Sequence, residues 1–229
     1  MKALCRDDTG LFYFFKMILT GISDNHGNYD YRNVYSNVDV LVHSGDLFGD
    51  DMWQGERELV EIFSKLKHTF PNAIIIVVPG NHDYYLENLI HYPDKVKSLF
   101  GDDLVILVDQ EFTYEGIKFY GNPHTPLSMA FQRRNNFNDI DMIPGGLDVL
   151  ITHEAPRCLD LEFIKNYKGS TEAGSLDLYN KVLEVKPRYH FFGHIHEFEH
   201  KKVGEITFCN NSQTYAGTQF KPDIRLLVL

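Results

Sequence analysis

The sequence predicts an α/β protein, a four-layer α/β/β/α sandwich in which two mixed β-sheets are flanked by helices. Three observations carry that reading. Apolar runs of four to six residues, rich in β-branched and aromatic side chains, recur at Met17–Ile22, Val38–Val42, Ile74–Val78, Val149–Thr152 and Tyr189–Phe192. Helical periodicity separates some of them, which is the alternation of an α/β layer structure. Val105–Val108, Glu111–Tyr114, Ile117–Tyr120, Glu205–Cys209 and Asp223–Leu229 instead read as strands joined by short turns. The sheets are therefore mixed rather than purely parallel.

The helices follow from spacing. Residues 56–70 place Leu59, Val60, Ile62, Phe63, Leu66 and Phe70 on one side, and residues 175–185 do the same with Leu176, Leu178, Tyr179, Val182, Leu183 and Val185. Ser175 fits the N-cap of the second helix and Pro187 its stop. Near the start, Leu11–Ile22 is interrupted by Lys16 and is shorter than the ~20 residues that span a bilayer. Asp7 and Asp8 beside Lys2 and Arg6 make a poor signal-peptide flank, so the run reads as a buried strand. Residues 1–229 read as one domain. Met17 fits the start of its first strand, with residues 1–16 either an extension or residues ahead of the true start.

Composition excludes several classes of protein. Hydrophobic residues at 43% and charged residues at 24% are ordinary for a globular chain and rule out disorder or a fibrous repeat. With 22 Lys+Arg against 32 Asp+Glu, the formal charge is −10, which disfavours stable binding to a nucleic-acid backbone. Cys5, Cys158 and Cys209 are far apart, so neither a disulfide framework nor a thiolate zinc site is expected. Isolated reduced thiols suit the cytoplasm, and no membrane association is expected.

The residues that end the strands carry the chemistry. Each of the five apolar runs stops at a polar cluster: Ser23-Asp24-Asn25-His26-Gly27-Asn28, His43-Ser44-Gly45-Asp46, Pro79-Gly80-Asn81-His82-Asp83, His153, and Gly193-His194-Ile195-His196. Ligands of open α/β sheets bind beyond the carboxyl ends of the strands, so five loops could converge on one point. Asp24, His26, Asp46, Asn81, His82, His153, His194 and His196 offer imidazole, carboxylate and amide oxygen. That mixture suits Mn²⁺, Fe²⁺ or Zn²⁺, and the inventory is large enough for two ions. Singly, each cluster reads as turn chemistry or a core histidine. Five together, each directly after an apolar strand, do not.

In order, Asp24-Asn25-His26, Gly45-Asp46, Gly80-Asn81-His82-Asp83, His153 and Gly193-His194-Ile195-His196 resemble the signature blocks of the calcineurin-like metallophosphoesterases. The chain looks closest to the small branch of metallophosphoesterase-domain phosphodiesterases. Supporting stretches are Tyr120–Pro126, Ile143-Pro144, Asp148–His153 and Phe192–Glu197. It departs from that branch at His124, where a Trp is usual, and at Glu154-Ala155-Pro156, where Gly-Pro-Pro is usual.

The resemblance implies roles. Asp24, His26 and His196 would hold one metal, Asn81, His153 and His194 a second, and Asp46 would bridge them. A hydroxide bridging the ions would attack phosphorus in line, because metal coordination lowers the pKa of water from 15.7 to about 7. His82 would act as general acid or charge stabiliser at the leaving group, with Asp83 able to orient its imidazole. His124 is a candidate for the pocket wall, and Arg133 and Arg134, in the long polar segment Ser128–Gly146, suit phosphate recognition. Tyr84 and Tyr85 could stack on a base or cover the core. His43 is expected to pack or support Asp46, and His68, His91, His190 and His200 to lie at the surface.

The expected activity is hydrolysis of a small phosphodiester or nucleotide with two divalent ions. The alternatives are a protein Ser/Thr phosphatase of the same fold, or a non-catalytic scaffold that bridges partner proteins. The sequence leaves oligomeric state open.

Overall fold

The structure is a computed structural model and describes residues 4–6, 12–14, 16–31, 37–49, 54–133, 138–158, 161, 174–215 and 219–229. In chain order the elements are β1 (Leu4–Arg6), β2 (Phe12–Phe14), β3 (Ile18–Ile22), β4 (Val40–His43), α1 (Glu56–Thr69), β5 (Ile74–Val77), α2 (Tyr84–Leu89), α3 (Pro93–Phe100) and β6 (Leu104–Ile106). They continue with β7 (Gln110–Tyr114), β8 (Ile117–Asn122), a 3-10 turn at Asp139–Met142, β9 (Val149–Thr152), α4 (Leu176–Val185), β10 (Tyr189–Phe192), β11 (Phe198–Val203) and β12 (Ile206–Asn211). Three short strands close the chain: β13 (Thr214–Tyr215), β14 (Gln219–Phe220) and β15 (Leu227–Val228).

Two mixed sheets form the centre. The first is ordered β15-β3-β4-β5-β6, parallel except for β15. The second is ordered β11-β12-β10-β9-β8-β7, with β8, β9, β10 and β12 parallel and the two edge strands antiparallel. Side chains alternate across each strand, so each run feeds two layers. Leu19, Val40, Val42, Ile74 and Ile76 meet Phe119, Val149, Ile151 and Phe191 between the sheets. The opposite faces pack outward, Leu41, Ile75 and Val77 under Leu59, Ile62 and Leu66 of α1, and Leu150, Phe192 and Phe208 under Leu178 and Val182 of α4. That is the four-layer order the sequence predicts.

The helices carry the expected ends, but their apolar faces are narrower than the pattern suggests. The Ser175 hydroxyl accepts from the Leu178 N–H at 3.1 Å, and α4 ends at Lys186 in the left-handed region, just before Pro187. Leu176 and Leu183 on α4 and Val60 on α1 are exposed. Each helix lies on one sheet face only, and the flank of its stripe stays in water.

The run Leu11–Ile22 is not one strand. It holds β2 and β3, with Lys16 exposed between them. Among the described strands, β1 and β2 pair only with each other, whereas the Met17 backbone exchanges both hydrogen bonds with Leu229 (3.2 and 3.0 Å) beside β3. A chain beginning at Met17 is therefore expected to keep the fold and its metal affinity, as read by circular dichroism and Mn²⁺ titration. The expected strand at Asp223–Leu229 shrinks to β15. Ahead of it, Arg225 turns its carbonyl to the Thr20 hydroxyl (2.8 Å) rather than to a ladder partner.

His190 and His200, expected at the surface, are not there. His190 is fully buried against Phe192 and Phe208, and His200 is half-buried with its Nε2 bonded to Asn211 Oδ1 (2.8 Å). The Thr152 hydroxyl donates to the Glu154 carbonyl (2.7 Å), so the proton between Thr152 and His190 Nε2 (2.9 Å) sits on the imidazole. Burial pulls His190 down to about 3. The unfolded chain, with a histidine near 6.5, binds a proton that the folded one refuses, so stability falls as pH drops below ~6.5. Urea unfolding of metal-free protein at pH 7.5 and 5.5 is expected to show about 1.4 kcal/mol less acid loss in His190→Gln than in wild type. Equal losses would refute the assignment.

Candidate metal centre

Every expected ligand lies on a loop that leaves the carboxyl end of a strand: Asp24 and His26 after β3, Asp46 after β4, Asn81 after β5, His153 after β9, and His194 and His196 after β10. Backbone bonds hold these loops edge to edge. Asp24 N–H donates to Gly45 O (2.9 Å), His26 N–H to Asp46 O (3.2 Å), and Gly193 N–H to His153 O (3.2 Å). A bridge between Ser23 and Ser212 links the two sheets at the same rim.

The loops turn so sharply that Asp24, His26, Asp46 and His194 adopt φ of 51°, 46°, 56° and 68°. Asp and His tolerate the left-handed region better than most residues, but it still costs of order 1–3 kcal/mol each. They are half of the non-glycine residues with positive φ among those described, so strain is concentrated here. Glycine is needed where loops touch. A Cβ on Gly80 would collide with Asp46 Oδ1 and lie 2.5 Å from the Asp46 N, and one on Gly45 would strike the His153 ring.

The donor atoms converge. His26 Nε2 and His196 Nε2 face each other at 3.2 Å, with His196 Nε2 3.6 Å from Asp24 Oδ1 and His26 Nε2 3.9 Å from Asp46 Oδ2. On the other side His153 Nε2 is 3.4 Å from Asp46 Oδ2, and both His153 Nε2 and His194 Nδ1 are 2.9 Å from Asn81 Oδ1. Three triads each bring their ligand atoms within 4.8 Å of one another: Asp24-His26-His196, His26-Asp46-His82 and Asp24-Asp46-His153. Donors bound to one ion at ~2.1 Å stand roughly 3–3.5 Å apart, so the donor set fits divalent cations.

Electrostatics agree. Burial would lower His153, yet Asp46 and Asp24 outweigh it and lift the imidazole to about 9. Burial would raise Asp46, yet His153 holds it well below the usual carboxylate range. Burial lowers His26, and brings His194 down to about 4, which favours the neutral form that coordinates metal. A buried spot that draws a proton this strongly is one where a cation is stabilised.

His82 is part-exposed at the mouth, its ring edge-on to His26 at 4.9 Å, and its backbone N–H donates to Asp46 Oδ1 (2.8 Å). Asp83 does not have the geometry expected of it. Its fully buried carboxylate accepts from four backbone N–H groups, Leu47 (2.8 Å) and Phe48 (3.2 Å) on Oδ1, Asp46 (2.9 Å) and Gly80 (2.7 Å) on Oδ2. Four donors saturate a carboxylate, so its oxygens are taken up by backbone rather than by the His82 ring.

His124 and Arg133 are likewise held by protein groups. His124 Nε2 lies 2.7 Å from Asp109 Oδ2, and the Arg133 guanidinium binds Asp139 (2.7 and 3.2 Å), Glu154 (2.8 Å) and the His124 carbonyl (3.1 Å). The network joins His124 and Glu154, the two departures from the branch pattern. Arg134 lies outside the described residues. Tyr84 and Tyr85 are half-buried and pack against the core beside Phe48.

Other supports carry weak sequence signals. His43 is fully buried; its Nδ1 accepts from Gly45 N–H (3.3 Å) and its Nε2 meets Tyr29 OH (3.3 Å), which donates to Leu47 O (2.9 Å). That arrangement fixes the turn before Asp46 and fits the supporting role expected of it. Asn210 was not anticipated. Its Nδ2 donates to Ile195 O (2.9 Å) and braces the His194–His196 turn. Its only signal is that Phe208-Cys209 runs into Asn210-Asn211-Ser212-Gln213, one more apolar strand ending in polar residues.

Comparisons with known proteins point the same way. Residues 17–198 match the calcineurin-like phosphoesterase family. The chain is 31% identical to a UPF0046 protein of Caenorhabditis elegans, over 87% of this chain and 71% of that protein. It is 29% identical to human metallophosphoesterase domain-containing protein 1, over 83% of this chain and 64% of that protein, so it spans less than two thirds of the human relative. Among solved structures, TT1561 of Thermus thermophilus superposes with a TM-score of 0.59 at 12% identity, covering 88% of this chain and 90% of that one. The phosphopantetheinyl hydrolase of Mycobacterium tuberculosis gives 0.58 at 13%, covering 87% and 90%; both likenesses speak to the fold alone. With a sequence match over most of its length and its metal-type donors gathered where two mixed sheets meet, the chain belongs to the calcineurin-like phosphoesterase family.

Proposed function

We propose that the protein is a dinuclear-metal phosphoesterase that hydrolyses a small phosphodiester or nucleotide. The observation that carries this reading is the convergence of Asp24-His26-His196 and Asp24-Asp46-His153 on one rim of the sandwich, with Asp46 within reach of both sides. Asp24, His26 and His196 would hold one cation, Asn81, His153 and His194 the other, with Asp46 shared. Bound there, Mn²⁺, Fe²⁺ or Zn²⁺ would supply Lewis acidity toward phosphoryl oxygens and make water a nucleophile near neutral pH.

The chain's own groups supply the rest. His82, part-exposed beside His26, would give a proton from its imidazole to the departing oxygen. Asp46 and Asp24 would supply the negative charge against bound cations, and neutral His and Asn donors would leave the centre net positive toward a phosphate. The gathering of Asp24, His26, Asp46, His153 and His196 supports an enzyme reading over a scaffold.

The test is turnover of bis-nitrophenyl phosphate against nitrophenyl phosphate with added Mn²⁺. Faster diester hydrolysis, abolished by chelation, is expected. Monoester preference would turn the reading toward the protein phosphatases, and no turnover of either at full metal loading toward the scaffold.

A further inference from the structure

We propose that Asp83 is the positioning residue of this centre: its carboxylate clasps the 46–48 loop to the 80–83 loop, and thereby fixes the Asp46 carboxylate against Asn81 and His82. The proposal rests on the metal-centre reading above, and concerns a residue outside the proposed ligand set whose carboxylate binds backbone N–H groups.

Three observations support it. The four N–H groups that Asp83 collects come from two loops, Asp46, Leu47 and Phe48 after β4, and Gly80 after β5. Among the described residues no other acceptor is recorded for these four N–H groups, and buried N–H groups left without acceptors are costly. One of the four belongs to Asp46 itself, held at φ 56°, a backbone state that persists only when its surroundings over-determine it. Finally, the clasp is reciprocated: the His82 N–H donates to Asp46 Oδ1, and the Gln54 amide joins the His82 carbonyl to the Gly49 carbonyl. Asp83 therefore sets the distance between the shared carboxylate and the Asn81-His82 pair. Like the groups that orient metal ligands elsewhere, its loss is expected to weaken metal binding 10–100-fold.

The experiment compares wild type, Asp83→Asn and Asp139→Asn. Asp139 is an equally buried carboxylate, bound by the side chains of Arg133 and Asn122 rather than by the Asp46–Phe48 and Gly80 N–H groups, and serves as the control for general destabilisation. Mn²⁺ affinity is measured by calorimetry on metal-free protein, beside the urea midpoint of each. The expected result is a 10–100-fold weaker Mn²⁺ affinity in Asp83→Asn and an affinity within about threefold of wild type in Asp139→Asn. Equal affinity in Asp83→Asn and wild type overturns the proposal while leaving the metal centre intact. Absence of Mn²⁺ binding in wild type overturns both.

Should Asp83→Asn fail to fold, amide hydrogen exchange on metal-free wild type decides. Protection at Asp46, Leu47, Phe48 and Gly80 comparable to the β4–β5 ladder supports the clasp. Exchange at open-loop rates overturns it.

Discussion

Asp46→Asn is expected to lower turnover of a diester at least about a thousandfold, a loss of ~4 kcal/mol in transition-state stabilisation, and to abolish tight Mn²⁺ binding. Asp46 has two jobs at once: Oδ1 accepts the His82 N–H at 2.8 Å, while Oδ2 faces His153 at 3.4 Å and His26 at 3.9 Å. An asparagine can satisfy only one. If its carbonyl stays on the His82 N–H, its NH₂ points at the two imidazoles and at any cation between them. The negative charge that draws the His153 proton also goes. Calorimetric Mn²⁺ titration and steady-state kinetics, with circular dichroism to establish that the variant is folded, check the result. Wild-type affinity in the variant would remove Asp46 from the centre.

His82→Ala is expected to act selectively. Hydrolysis of an ester with a poor, alkyl leaving group should fall ~10²–10⁴-fold, the usual worth of general acid assistance, whereas a nitrophenyl ester should lose far less, because nitrophenolate departs without a proton. The ring is part-exposed beside His26, so it can meet a leaving group, and the backbone link to Asp46 does not depend on the side chain. Metal affinity should therefore be nearly unchanged. Equal losses on both esters would show that His82 does not transfer a proton.

Much of this was legible in the sequence because β3, β4, β5, β9 and β10 are short, apolar and stop abruptly at polar residues. Their parallel order puts those stops on one rim, and Gly45 and Gly80 mark where loops must touch. The short helices α2 and α3 were not legible: Tyr84–Leu89 is too brief to display a period, and Pro93 reads as a break although it opens α3. β11 was hidden because Phe198–Val203 is mostly polar and pairs at the sheet edge. His190 could have been placed by alternation, since it shares its face of β10 with Phe192, which packs under α4. The Asp83 clasp had no such trace. Its partners are backbone N–H groups, identical in every residue but proline, so only the folded loops reveal them. Arg133, a candidate for phosphate recognition, shows the converse: a cation in a polar segment pairs with two buried carboxylates, Asp139 and Glu154, which its sequence position does not announce.

The rim where the sheets meet has a mechanical consequence. Asp24, His26, Asp46 and Asn81 hang from the first sheet, His153, His194 and His196 from the second, and two of the three ligand triads mix the sets. Between the halves the middle of the seam is apolar, and directional links such as the Ser23–Ser212 bridge and the His194 N–H to Asp24 bond are gathered near the same rim. Asp24 with His196, and Asp46 with His153, would hold a cation from both halves at once, and that ion would then act as a rivet against shear.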